Sequence, residues 1–253
     1  MKAIAARVKR VAHTLLDSCG YTAIPSCVAH FRGDRYVQHN ARRLEHLASL
    51  RIPVRGLSVL ELGAGVGDHS SYYLDRDCRV TITEARGSLL SYLRKRFPSA
   101  DVRALDMESP EKTPVEKADV VHCYGLLYHL SDPERALDFV AGHTDQYLFL
   151  ETCVSFGDGE TINPTPEDMA NPTQAISGVG CRPTRPWLLR ALKSRFEHVY
   201  VPQTQPNHEE FPTDWSVPGP VGLLARAVFV CSRTELANDL LLSELPSQQR
   251  RHE

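Results

Sequence analysis

"SVLELGAGVGDHSSYYL", residues 58–74, sets three glycines, Gly63, Gly65 and Gly67, between a short apolar run and a polar–apolar stretch. An apolar run closed by glycine reads as a buried strand, and the stretch after it as a helix. The glycines between them let backbone approach a nucleotide closely. The dinucleotide fingerprint G-x-G-x-x-G/A is not met, because the third small position counted from Gly63 is Asp68 and the third glycine falls at 67. Asp68 also puts a negative charge at the helix N-terminus, where a pyrophosphate would lie, and two anions repel. The loop therefore argues against NAD and FAD.

Working outward, strand and helix patterns alternate. "LSVLELG", "RVTITEA", "ADVRALDM", "ADVVHCYG" and "QYLFLET" read as strands, with "DHSSYYLDRD", "GSLLSYLRKRF" and "DPERALDFVAGHT" as helices among them. This alternation predicts an α/β fold: a Rossmann-like, doubly wound, mostly parallel sheet whose strand ends share one ligand-binding edge. "RPWLLRALKSRF" reads as a later helix capped by Thr184, and "HVYVPQ" and "LLARAVFVCS" as closing strands. Ahead of the glycine loop, "RYVQHNARRLEHLASL" (35–50) reads as an amphipathic helix. Ile4, Val8, Val11 and Leu15 keep helical spacing before it. The expected organisation is a helical lid over 1–55, a Rossmann-like domain over 56–233 and a frayed tail over 234–253.

Acidic residues fall where the ligand edge should be: Glu61 ends the first strand, Glu84 the second, and Asp106 follows the third. Glu84 lies 21 residues past Gly63 (84 − 63), near the distance at which an acid grips ribose hydroxyls. Such a collar suits a cationic nucleoside without phosphates, and S-adenosyl-L-methionine is one. With "VLELGAGVGDHS", "TITEA", "ALDME" and "ADVVHCYGLLYHLSDPERAL" in this order, residues 56–152 resemble the class I S-adenosylmethionine-dependent methyltransferases. The resemblance implies that Gly63, Gly65 and Gly67 pass under the methionine part and that Glu84 holds the ribose diol. It further implies that Asp106 and Met107 bracket the adenine, that Tyr124 lies near the sulfonium, and that S-adenosyl-L-homocysteine is the product.

"GLLYHLSDP", "LFLET" and "ARAVFVCSR" are similar to the carboxymethyl transferases that modify wobble uridine in tRNA from carboxy-S-adenosylmethionine. That likeness implies that Tyr128 and Arg226 hold an extra carboxylate. The family's third carboxylate ligand, a lysine, cannot be placed, so Tyr128 and Arg226 are equally open as substrate-binding residues, with Arg182 beside them. Three functions stay open: methyl transfer to a small or medium acceptor, carboxymethyl transfer, and a non-catalytic scaffold that keeps the cofactor pocket.

In-line methyl transfer needs alignment in a dry site and, for a hydroxyl nucleophile, a base. His129 is the first candidate base because it follows the fourth strand. Its structural alternative is as a loop residue before a capping box of Ser131 and Glu134 with Pro133 in the first turn. Glu151, ending the fifth strand, is the second candidate, with a salt-bridged edge residue as its alternative. His69 reads as a first-turn residue beside the cofactor. Tyr36 and His39 share one helix face and are expected as lid contacts. "NHEEFPTDW" (207–215) contains hard-metal ligand types, but a solvated loop is the expected reading and no metal is expected.

A net charge of −2 gives no general drive toward nucleic acid, although a local basic patch is compatible with it. A small-molecule acceptor is the expected partner. Seven scattered cysteines without C-x-x-C spacing predict a reduced, cytoplasmic setting, and no apolar run reaches membrane-span length. Oligomeric state is not legible in these patterns.

Overall fold

In the computed structural model the described residues are 26–220 and 222–253. The expected helix through Ile4, Val8, Val11 and Leu15 lies outside them. The first five strands are β1 (Ser58–Glu61), β2 (Arg79–Glu84), β3 (Asp101–Ala104), β4 (Ala118–Tyr124) and β5 (Thr144–Val154). They alternate with helices α2 (Asp68–Leu74), α3 (Gly87–Arg96) and α4 (Pro133–His143), and α1 (Asp34–Ser49) precedes them all. Later come β6 (Pro164–Pro166), β7 (Val179–Cys181), α5 (Arg185–Lys193), β8 (His198–Pro202), β9 (Thr204–Gln205), β10 (Ala225–Ser232), β11 (Leu241–Leu242) and β12 (Arg250–Arg251).

The main sheet has the order β11-β8-β10-β5-β4-β1-β2-β3, and β1 to β5 pair in parallel. β10 enters antiparallel between β5 and β8. Strand order reverses between β1 and β4, and the crevice at that point is where ligands bind in open α/β sheets. Alternate residues feed two cores, as a two-residue period requires. Leu60, Val121, Leu148, Leu150 and Phe229 pack toward α4 and α5, whereas Val59, Val120, Phe149 and Val228 pack with Leu47 of α1 and Tyr73 of α2. The central strands are near-continuous apolar runs because both faces are covered.

α1 buries an unusual stripe. His39, Asn40, Arg43, His46 and Leu47 fall on one face at helical spacing, and four of the five are polar. That polar face lies toward the crevice and accounts for much of the chemistry below.

Two sequence expectations need correction. α4 is capped by Asp132, whose side chain accepts from the Arg135 amide at 3.1 Å, not by a Ser131–Glu134 box. Ser131 instead donates to Glu108 through its amide and hydroxyl, at 2.9 and 2.7 Å. The tail is not frayed: β12 pairs with β9, and the buried Gln249 donates to the Pro202 carbonyl and accepts from the Trp215 indole at 2.7 Å. Residues 154–185, proline-rich and without a legible period, hold the antiparallel β6–β7 pair. The Thr184 cap is as expected, accepting from the Trp187 amide.

Among the described residues no helix is long and apolar enough to cross a membrane.

Candidate functional site

A cavity of about 550 Å³ opens over the carboxyl ends of β1, β2 and β4, within the range typical of small-molecule sites. Gly63 and Gly65 form part of its floor at positive φ of 64° and 59°. Gly67 does not reach it. It precedes α2 at φ 77°, and a Cβ there would point at Phe97 and Leu93, at 2.5 and 2.8 Å. Its work is the tight turn into α2, not ligand contact.

Glu84 is buried at the cavity wall. Its Oε2 accepts from the Gly65 amide at 2.9 Å, and Oε1 from the Ala85 and Arg86 amides at 2.8 and 2.9 Å. Burial raises its carboxyl pKa and these amides oppose the rise. Asp106 stands exposed on the rim and Met107 is buried beside it, both lining the cavity with Leu89 and Phe31. The set offers an acidic group at one corner and apolar walls next to it, which fits a nucleoside. Tyr124 lines the same cavity, and its hydroxyl, like Arg43 Nε, is buried without a hydrogen-bond partner among the described residues. Orphaned polar atoms beside the glycine floor fit the polar end of a ligand.

Glu61 and His69 are behind this wall. They border a separate recess of about 30 Å³, room for little more than a water molecule. Ser70 donates its hydroxyl to Glu61, and burial lifts the Glu61 carboxyl to about 8. His69 Nδ1 meets His122 Nε2 at 2.8 Å, and His122 Nδ1 meets the Tyr73 hydroxyl at 2.8 Å. Neither Glu61 nor His69, both expected at the cofactor, lines the main cavity; they border the adjoining recess, which shares Gly63, Arg43 and Tyr124 with it.

On the other side, Tyr36 and His39 of α1 do line the cavity. Burial, then Arg43 and Arg226, drive the His39 pKa far down, so the ring is neutral, and its Nε2, 3.9 Å from Glu210 Oε2, has no hydrogen-bond partner among the described residues. His39, His208 and Glu210 have ligand atoms within 4.8 Å of one another. They make a poor cation site. His208 Nδ1 accepts from the Glu210 amide at 3.2 Å, and the Glu210 carboxylate is held by Arg226 and Arg35.

His129 lines the cavity and its Nδ1 pairs with Glu167 Oε2 at 2.5 Å. The other Glu167 oxygen accepts from Arg182 Nη2 at 2.9 Å, and the Ala175 amide donates to Oε2 at 2.7 Å. Burial lowers the His129 pKa, and the Glu167 hydrogen bond opposes the fall. The ring is neutral at physiological pH. An Nδ1–H donated to a carboxylate leaves the Nε2 lone pair for a proton. Glu167 was missed in the sequence because it sits outside every periodic segment. Its loop is held close by Gly180, where a Cβ would strike the Tyr128 carbonyl oxygen.

Glu151 cannot serve as a base. It is fully buried, does not line the cavity, and bridges Arg43 at 2.7 Å and Arg226 at 3.0 Å. Burial alone would raise its pKa, but the two guanidiniums win and lower it, so it stays ionised and is a weaker base than a free carboxylate. The salt-bridged alternative is the correct one.

Tyr128, Arg182 and Arg226 all reach the cavity, with both guanidinium carbons 4.9 Å from the centre of the Tyr128 ring. Each Arg226 nitrogen already donates: Nε to Glu210 at 2.7 Å, Nη1 to Glu151 at 3.0 Å and Nη2 to the Tyr128 hydroxyl at 3.2 Å. Arg185, a neighbour of Arg182 in sequence, is elsewhere, stacked 4.0 Å over Trp215.

Residues 59–144 match the family described as a methyltransferase domain. Over 162 residues the chain is 28% identical to the tRNA U34 carboxymethyltransferase of Campylobacter hominis, covering 60% of this chain and 56% of that protein. The chain thus spans little more than half the length of this curated relative. The N-terminal domain of EvdMO1 with SAH bound superposes with a TM-score of 0.59 at 20% identity, over 79% of this chain and 84% of that one. The magnesium protoporphyrin IX methyltransferase of Synechocystis PCC 6803, with bound SAH, gives 0.54 at 12% identity, over 89% and 100%. At these identities the likeness is one of fold, and the fold is that of a class I methyltransferase.

Proposed function

We propose that the protein is an S-adenosylmethionine-dependent methyltransferase that methylates a hydroxyl of a small or medium-sized acceptor. The observation that carries this reading is His129, its Nδ1 fixed by Glu167, in the wall of the cavity whose opposite features are the glycine floor and Glu84. S-adenosylmethionine, when bound, supplies an electrophilic methyl on a sulfonium. Glu84 would hold its ribose, Leu89, Met107 and Asp106 would flank the adenine, and Arg43 and Tyr124 would meet its amino-acid end. His129 Nε2 accepts the proton of the acceptor hydroxyl as the nucleophile attacks, and Glu167 stabilises the imidazolium so formed. General-base help of this kind is worth about 10²–10⁴-fold.

Calorimetry with S-adenosylmethionine and S-adenosylhomocysteine tests the reading, and absence of binding by either overturns it. Turnover lost in His129→Ala with S-adenosylhomocysteine binding kept distinguishes an enzyme from a cofactor-holding scaffold.

Carboxymethyl transfer is the second reading, favoured by the tRNA-modifying relative and by the Tyr128–Arg226 pair. Glu210 and Glu151 already offset the Arg226 charge, which weighs against it, since an extra cofactor carboxylate would meet a neutralised guanidinium through its remaining Nη hydrogens. Tighter binding of the carboxylated cofactor than of S-adenosylmethionine would reverse this preference.

A further inference from the structure

We infer that Glu210 is a specificity-determining residue: its carboxylate fills the place beside Arg226 that a negatively charged acceptor would take, so the cavity selects acceptors that are uncharged there. The inference rests on the methyl-transfer reading and names the acceptor class for the same site.

Glu210 belongs to the segment between β9 and β10, not to the sheet. It is brought to the site by backbone pairing, because the Arg226 amide donates to the Glu210 carbonyl at 2.7 Å. Its side chain then binds the same arginine, Oε2 receiving Arg226 Nε at 2.7 Å, while Oε1 receives Arg35 Nη2 at 3.3 Å. Both residues line the cavity and both are buried, Arg226 at 5% exposure and Glu210 at 9%.

Charge bookkeeping gives the consequence. The buried cluster is Arg43 and Arg226 against Glu151 and Glu210, two positive and two negative charges. Arg35 is matched by Glu209 at 2.8 Å, and Arg182 by Glu167. An anionic acceptor entering here finds an arginine that is already neutralised and a carboxylate that repels it. Like charges brought together at a desolvated site repel one another. Without the Glu210 charge, the cluster would carry a net positive charge and Arg226 Nε would need an acceptor, the conditions under which anions bind.

The mouth of the cavity fits the same class. Leu224 and Ile176 line it and are each 38% exposed, an apolar edge that suits an apolar body. The acceptor is thus a neutral hydroxylated molecule with its hydroxyl at His129 and no ionised group near Arg226.

The test is calorimetry on the S-adenosylhomocysteine-loaded protein with two probes of matched size, methyl gallate and gallate, at pH 7. Wild type should bind the ester about tenfold or more tighter than the acid, and Glu210→Gln should shift the ratio toward the acid by a similar factor, mainly through gained gallate affinity. Wild type binding gallate as tightly as the ester overturns the inference, and so does a Glu210→Gln ratio equal to wild type or failure of both probes to bind. The wild-type ratio stands alone if Glu210→Gln does not fold, and Glu210→Ala gives a second variant. Failure to bind S-adenosylhomocysteine at the loading step would instead overturn the methyl-transfer reading itself.

Discussion

Glu167 accepts the Nδ1 proton of His129 across 38 residues of sequence, joining the loop after β6 to the segment after β4. Arg182 grips the other carboxylate oxygen, so the orientation of the ring is set by groups that never touch the crevice floor.

This pair predicts a pH dependence. Methyl transfer should be level at neutral pH and fall on acidification through a pKa below the usual histidine value near 6.5, because burial outweighs the Glu167 hydrogen bond. Glu167→Gln removes the group that raises the pKa. The acid limb should therefore move to still lower pH, while kcat drops about tenfold or more as the tautomer is freed. A kcat profile from pH 5 to 9 reads both. A purely structural Glu167 would lower activity without moving the limb.

Removing the Glu84 carboxylate should weaken S-adenosylhomocysteine by about 10–100-fold, the scale of one or two hydrogen bonds to a charged group. Glu84→Ala also strips the acceptor from the Gly65, Ala85 and Arg86 amides. Calorimetry paired with a thermal melt separates lost contact from lost fold.

Gly67→Ala should cost about 2–4 kcal/mol in urea unfolding, combining a left-handed backbone with an intrusion on Phe97 and Leu93. Gly87→Ala is the control. That site opens α3, has no positive φ and meets nothing within 4 Å, so the change should be neutral or slightly stabilising.

Glu61 makes stability fall at alkaline pH. A buried carboxyl with a folded pKa of about 8 binds its proton more tightly than in the unfolded chain. Its contribution is complete below the unfolded carboxyl pKa and is lost as pH rises through about 8. Glu61→Gln should melt close to wild type at pH 5 and above it at pH 9. Identical melting curves at both pH values would refute the buried protonated state.

Met107, Tyr124 and Tyr128 came to the crevice only through the family resemblance, whereas the glycine loop, the strand–helix alternation and the placement of Glu84, Asp106 and His129 at strand ends followed from residue order. Short-range signals determine these features: apolar period, turn residues, and the rule that parallel strands end on one edge. That Tyr36 and His39 face the same way was also legible, since three residues apart on a helix means one face.

Tertiary structure alone decided what each charged group faces. β10 runs antiparallel to β5 with Arg226 opposite Cys153, and this register brings Arg226 to Glu151 while α1 delivers Arg43 to the same carboxylate. That turned Glu151 from a candidate base into a buried counter-ion. The same long-range packing gave Glu210 to Arg226 and Glu167 to His129, moved Glu61 and His69 behind the glycine loop, and folded the tail against β9. The partners lie between 16 and 108 residues apart in these pairs. No periodicity links such positions. An ion pair has no sequence spacing of its own, and forms only where strand order and register have already brought two chains of side chains together.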